Sequence, residues 1–115
     1  MKPIIQISYS LKNLKKKDKI KFHYLDLKDR NDVQSLLEKN KFDGIFHLAA
    51  QAIVTTAYSN PRRTIESNVM GTTNVLESAR LYPKVKAVVV ASSDKAYGKL
   101  ETGKYSYSEI DPLRG

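Results

Sequence analysis

Cysteine is absent from the 115-residue sequence, and histidine occurs only at His23 and His47. The first absence excludes a disulfide framework and a thiolate metal site. The second leaves too few imidazoles for a histidine-rich metal centre. No apolar run approaches the roughly 20 residues that a membrane-spanning helix needs, and no signal-peptide pattern opens the chain. A cytoplasmic protein without a membrane partner is therefore the expectation. Glycine is sparse as well. Gly44, Gly71, Gly98, Gly103 and Gly115 are its five positions, and none is spaced to form a glycine-rich, phosphate-cradling turn.

What is present is a basic, otherwise ordinary globular composition, long enough for one domain. Twenty lysines and arginines outnumber twelve acidic residues, for a net charge of +8. Much of the excess lies in the block from Lys12 to Lys21. Such a block can serve as an anion or nucleic-acid patch. No aromatic stacking platform accompanies it, so it reads as a solvated connection between strands, and a nucleic-acid partner is disfavoured.

The hydrophobic pattern gives an order of strand, strand, helix, strand, helix, strand. Pro3 to Tyr9 and Ile20 to Leu25 read as strands, the second with Ile20, Phe22 and Tyr24 alternating. Asp29 or Asn31 can cap a helix from about Asp32 to Lys39, whose apolar face is Val33, Leu36 and Leu37. Phe42 to Ala50 is near-continuously apolar, as expected of a strand covered on both faces. A polar segment from Gln51 to Asn60 leads to a long helix started by Asn60-Pro61, with Ile65, Val69, Leu76 and Ala79 on one stripe. That helix stops before Pro83, and Val85 to Ala91 is the next strand. Strands separated by helix-length segments predict a parallel α/β sheet. The tail, Lys99 to Gly115, reads as a loop lying over a site.

The polar cluster sits where that last strand ends. Ser92-Ser93-Asp94-Lys95-Ala96-Tyr97-Gly98 brings a hydroxyl, a carboxylate and an amine to a strand's carboxyl end, where parallel sheets carry their chemistry. Serine and aspartate there can also simply cap a turn. Tyr82-Pro83-Lys84-Val85-Lys86 has Tyr-x-x-x-Lys spacing, but its proline and its place at a helix-to-strand junction rule out one helical turn between tyrosine and lysine.

His47-Leu48-Ala49-Ala50-Gln51, Asn68-Val69-Met70-Gly71-Thr72 and Ser92 to Gly98 together resemble the extended short-chain dehydrogenase/reductases, the NAD-dependent epimerases and dehydratases of nucleotide sugars. The resemblance spans about residues 3 to 115. Within that family, Ala49-Ala50-Gln51, Ala57 to Pro61, Ser93-Asp94-Lys95 and Asp111-Pro112-Leu113 are most similar to the CDP-glucose 4,6-dehydratases. The dTDP-glucose enzymes carry Asp-Glu where this chain has Asp94-Lys95, whereas some UDP-sugar dehydratases share Asp-Lys.

The resemblance implies a lyase using NAD. The sugar is oxidised at C4, water is lost across C5 and C6, and hydride returns to C6. Ser93 would hold the C4 oxygen, Asp94 protonate the leaving hydroxyl, and Lys95 remove the C5 proton. A lysine base must be neutral, which requires desolvation or a neighbouring cation. Asp26 and Leu27 match the adenine-contacting pair. Leu48, Ala49 and Ala50 match the wall along ribose and pyrophosphate, with Gln51 toward the nicotinamide or substrate and Ser92 beside the cofactor. Asn68 matches a position that contacts substrate or bonds nearby backbone, and Gly71 one of close packing onto the catalytic strand. Tyr58 is either a substrate contact or a surface aromatic. His47 reads as a core histidine.

The expected fold is a partial Rossmann-type α/β domain over residues 1–115, a parallel sheet with flanking helices that lacks the family's first strand, its glycine-rich loop and its Tyr-x-x-x-Lys helix. Such a fragment is expected to be inactive alone, and unstable, rearranged or completed by another polypeptide. The full-length family member is expected to be a homo-oligomer acting on CDP-glucose. The alternatives are another nucleotide-sugar epimerase or dehydratase, and a non-catalytic nucleotide-binding or interaction module.

Overall fold

The computed structural model describes residues 4–8 and 21–114. The lysine block from Lys12 to Ile20 lies outside them. Strand β1 (Ile4–Ser8) pairs antiparallel with β2 (Lys21–Leu25), Ile4 opposite Leu25. Helix α1 (Arg30–Asn40) follows. Then come β3 (Gly44–His47), α2 (Val54–Ser59) and α3 (Pro61–Ile65). Helix α3 runs through a π turn (Glu66–Met70) into α4 (Gly71–Leu81). Strand β4 (Ala87–Val90) and a 3₁₀ turn (Asp94–Tyr97) complete the order.

β3 and β4 are parallel, with Gly44 opposite Ala87 and His47 opposite Val90. They are joined by the helices between them, which makes a βαβ unit. The described strands thus form two separate two-stranded sheets, β1–β2 and β3–β4. The β3–β4 pair, with α1 and α4 against it, is the parallel α/β part that the pattern predicts. The antiparallel β1–β2 pair departs from an all-parallel sheet.

Local signals explain the helix ends. The Asp29 carboxylate accepts from the backbone N–H groups of Asn31 and Asp32, at 2.9 and 3.2 Å. The Asn60 side chain accepts from Arg63 N at 3.1 Å, with Pro61 in the first turn. Both satisfy donors that a helix start leaves open. Tyr82 ends α4, and Lys86 N donates to Asp43 O at 2.7 Å as β4 begins. No helix therefore connects Tyr82 to Lys86.

The core lies between α1, α4 and one face of β3. It consists of Leu27, Val33, Leu37, Ile45, Val75 and Ala79. Three expectations change here. The buried face of α4 is Gly71, Asn74, Val75, Ser78 and Ala79. Ile65, Val69 and Leu76 are exposed, and of the expected stripe only Ala79 is buried. Second, β3 is covered on one face: Ile45 and His47 are buried, whereas Phe46 is 73% exposed. Third, the segment from Gln51 to Asn60 contains α2. Phe22 and Tyr24 also lie exposed, while Leu25 packs toward the core.

Candidate functional site

An open groove of about 990 Å³ lies at the carboxyl ends of β2 and β3. Asp26, Leu27, Leu48, Ala49, Ala50 and Gln51 all line it, beside Lys28, Arg63, Thr64 and Ser67. Six of the seven sequence-predicted cofactor residues, from two distant segments, thus share one cavity, and Ser92 lies outside it. Its volume suits a small-molecule cleft.

Each wall is built by a turn. After β2, the Asp26 carboxylate accepts from Lys28 N at 3.0 Å, and Asp26 O accepts from Asp29 N at 2.9 Å. The Lys28 ammonium stands 3.6 Å from the same carboxylate. After β3, the Gln51 side chain folds onto its own loop, its amide oxygen accepting from Ile53 N at 2.7 Å and its amide nitrogen donating to Ile53 O at 3.0 Å.

The long helix fastens both walls. Asn68, in the π turn, accepts from Gln51 N at 2.7 Å and donates to Gln51 O at 3.0 Å. Asn74 donates to Leu27 O and to Lys28 O, each at 2.9 Å. Gly71 lies between them; a Cβ there would meet the Leu27 Cβ at 3.4 Å. Its close packing is therefore against the turn after β2, not the strand that carries the serines.

His47, 6% exposed, approaches Thr72 Oγ1 with Nε2 at 2.9 Å. The Thr72 hydroxyl donates to Asn68 O at 2.7 Å. That uses its one proton, so His47 Nε2 carries the hydrogen of the bond between them. Burial lowers the His47 pKa, which favours the uncharged ring. The core reading of His47 fits this placement.

Ser93, Asp94 and Lys95 come together at the end of β4. Ser93 Oγ lies 3.3 Å from Asp94 Oδ1 and accepts from Lys95 N at 3.2 Å, capping the 3₁₀ turn. Lys95 Nζ lies 3.3 Å from Asp94 Oδ2. Ala91 N donates to His47 O at 3.0 Å, so the β3–β4 ladder continues to the edge of this turn. The turn itself is open: the Asp94 and Lys95 side chains are 60% and 82% exposed, Ser92 is exposed, and none of the four lines the groove. Tyr58, on α2, is 84% exposed and stands outside the groove.

The tail braces the turn from below. Tyr107 stacks on Tyr97 with ring centroids 5.0 Å apart and donates its hydroxyl to Gly98 O at 2.9 Å. Arg114 N donates to Ala96 O at 2.9 Å. Gly98 has φ +78°, and a Cβ there would meet the Arg114 Cβ at 3.2 Å, so glycine is required. Lys104 and Asp111 pair within the tail, and that contact, with the Ser108 N–H, holds the Asp111 carboxyl below its ordinary range.

Asn74 was not singled out by the sequence pattern, and Thr72 entered it only as the last residue of a motif, without a role. Their signal is polar, weakly helix-forming residues at interior positions of a helix.

A βαβ unit with its groove outside the strands' carboxyl ends is a Rossmann-like arrangement. The profile of the GDP-mannose 4,6 dehydratase family matches residues 4–115, and the chain belongs to this family of NAD-dependent nucleotide-sugar dehydratases and epimerases. It is 41% identical over 88 residues to CDP-paratose 2-epimerase of Salmonella typhi, covering 76% of this chain and 26% of that protein. It is 35% identical over 98 residues to CDP-glucose 4,6-dehydratase of Salmonella typhimurium, covering 85% and 27%. The structure of DesIV, a dTDP-glucose 4,6-dehydratase from Streptomyces venezuelae solved with NAD bound, superposes with a TM-score of 0.73 at 29% identity, over 88% of this chain and 30% of that one. The chain spans about a quarter of the length of these curated relatives.

Proposed function

We propose that this chain forms the NAD-binding part of a nucleotide-sugar 4,6-dehydratase acting on CDP-glucose. The observation that carries the reading is the convergence of Asp26, Leu27, Leu48, Ala49, Ala50 and Gln51 on one groove. The fit to NAD is chemical. Asp26 offers a carboxylate acceptor to an adenine amino group, and the small side chains of Ala49 and Ala50 let a ribose and pyrophosphate approach the backbone. Lys28 and Arg63 add positive charge to the groove, which suits an anionic dinucleotide.

NAD held in this groove would supply the hydride chemistry, oxidation at the sugar C4 and reduction at C6. Ser93 holds the C4 oxygen through its hydroxyl. Asp94 delivers a proton to the departing C6 hydroxyl, and Lys95 withdraws the proton at C5. In the free chain Lys95 is solvated and paired with Asp94, so its role as base needs water excluded by substrate docked over the turn. The likeness to CDP-glucose 4,6-dehydratase supports the substrate. The likeness to CDP-paratose 2-epimerase supports the same nucleotide, and epimerisation is the second reading.

Calorimetry with NAD tests the groove: the chain binds it, and Asp26→Ala weakens binding roughly three- to tenfold, the scale of one charge-assisted hydrogen bond. As the NAD-binding part of the enzyme, the chain is expected to capture NAD without turnover. A dehydrated CDP-sugar made by the chain alone would overturn that corollary. Deleting the gene in its own cell separates the two readings. A dehydratase role predicts loss of a CDP-sugar lighter by one water. An epimerase role predicts loss of a sugar of unchanged mass.

A further inference from the structure

The groove has two walls, and one continuous helix grips both. The Asn68 amide takes both backbone groups of Gln51, as acceptor at 2.7 Å and donor at 3.0 Å. The Asn74 amide takes two successive carbonyls, Leu27 O and Lys28 O, at 2.9 Å each. Asn74 is 7% exposed. These are long-range bonds between a helix and loops, and nothing in helix formation itself demands them.

Asparagine is a poor helix former and costly to bury unless its amide is engaged. Two of them inside one helix, each engaged on a different wall, call for a role other than helix formation. The π turn containing Asn68 and the absence of a Cβ at Gly71, which lets the helix approach Leu27, allow both grips at once. Thr72 and His47 brace the first grip by holding Asn68 O and the end of β3.

We propose that Asn68 and Asn74 are positioning residues that set the two ends of the cofactor independently. Asn74 fixes the Asp26–Lys28 turn for the adenosine end, and Asn68 fixes Gln51 for the nicotinamide end. This rests on the reading of the groove as an NAD site.

The test uses the full chain and its Asn74→Ala, Asn74→Asp and Asn68→Ala variants. AMP and nicotinamide mononucleotide are titrated separately by ligand-observed NMR, and amide hydrogen exchange is followed in the free proteins. Aspartate at 74 keeps the size but cannot donate to carbonyls, so it behaves as alanine does. Both position-74 variants weaken AMP roughly three- to tenfold and leave nicotinamide mononucleotide unchanged, and Asn68→Ala does the reverse. Exchange quickens at Lys28 and Asp29 in the position-74 variants, and at Gln51 in Asn68→Ala, with the opposite wall unchanged. Equal weakening of both ligands, or exchange that quickens at both walls together, overturns the proposal and leaves general structural support. If the unsubstituted chain binds neither ligand, the NAD reading fails. The exchange pattern then still decides whether the two grips act independently.

Discussion

His47 shows how one buried side chain carries a pH dependence. Burial lowers its pKa below the ordinary 6.5. Between the folded and unfolded values the unfolded chain holds more protons, so folding weakens as pH falls. Stability is expected to be full above about pH 6.5 and to decline below it as His47 is forced to charge. His47→Gln keeps a donor toward Thr72 but cannot titrate. Urea midpoints taken down a pH series should lose that part of the slope in the variant, and an unchanged slope would assign it elsewhere. Gly71 poses a second question of scale. Alanine gains about 1 kcal/mol of helix propensity over glycine, and the added carbon would sit 3.4 Å from Leu27 Cβ, at the edge of ordinary contact. The two effects nearly offset, so Gly71→Ala should melt within about 1 kcal/mol of the unsubstituted chain. Gly71→Leu drives bulk into Leu27 and should cost about 1–3 kcal/mol.

At the level of elements, the face that α4 buries decides which substitutions matter. Leu37 on α1 is 2% exposed and packs into the α1–α4–β3 core. Leu37→Ala should cost about 2–5 kcal/mol, whereas Ile65→Ala, on the exposed side, should stay within about 0.5 kcal/mol. Denaturant unfolding of the two variants checks the contrast, and equal losses would restore the stripe read from periodicity. That stripe misled for a physical reason. The face that α4 buries carries Asn74 and Ser78 beside Val75 and Ala79, so apolar periodicity does not mark it, and the π turn at Glu66–Met70 adds a residue to the turn between Ile65 and α4. Periodicity counted at 3.6 residues per turn cannot see it. What was legible were the signals that act locally: the Asp29 cap, the Asn60-Pro61 start, the stop before Pro83, and the apolar runs of β3 and β4. Of the groove residues, Leu48 to Gln51 were legible within a motif, and Asp26 and Leu27 as the polar end of the second strand. Asn74 was not, because a buried asparagine gripping carbonyls some 46 residues away leaves no local pattern. The antiparallel pairing of β1 with β2 was equally hidden, since strand composition does not encode direction.

For the whole molecule, the unresolved physical demand is apolar surface without cover. Among the described residues, Phe46, Val89, Phe22 and Tyr24 are exposed on strands, and the described strands form two separate pairs. Among the described residues only seven apolar side chains are buried, Leu36 and the six of the core cluster. Such a molecule should not behave as a tightly packed two-state domain. Its thermal transition is expected to be broad, with anilinonaphthalene sulfonate binding already at low temperature, as for states that keep secondary structure but lack full packing. In the proposed site, residues of the turns after β2 and β3 would hold NAD together, so saturating NAD should raise and sharpen the transition and displace part of the dye. A sharp, cooperative melt without dye binding would show that these faces are covered in solution. Because cover and cofactor act on different surfaces, dye that stays bound to the chain saturated with NAD would mark the bare β3–β4 face as the remaining source of instability.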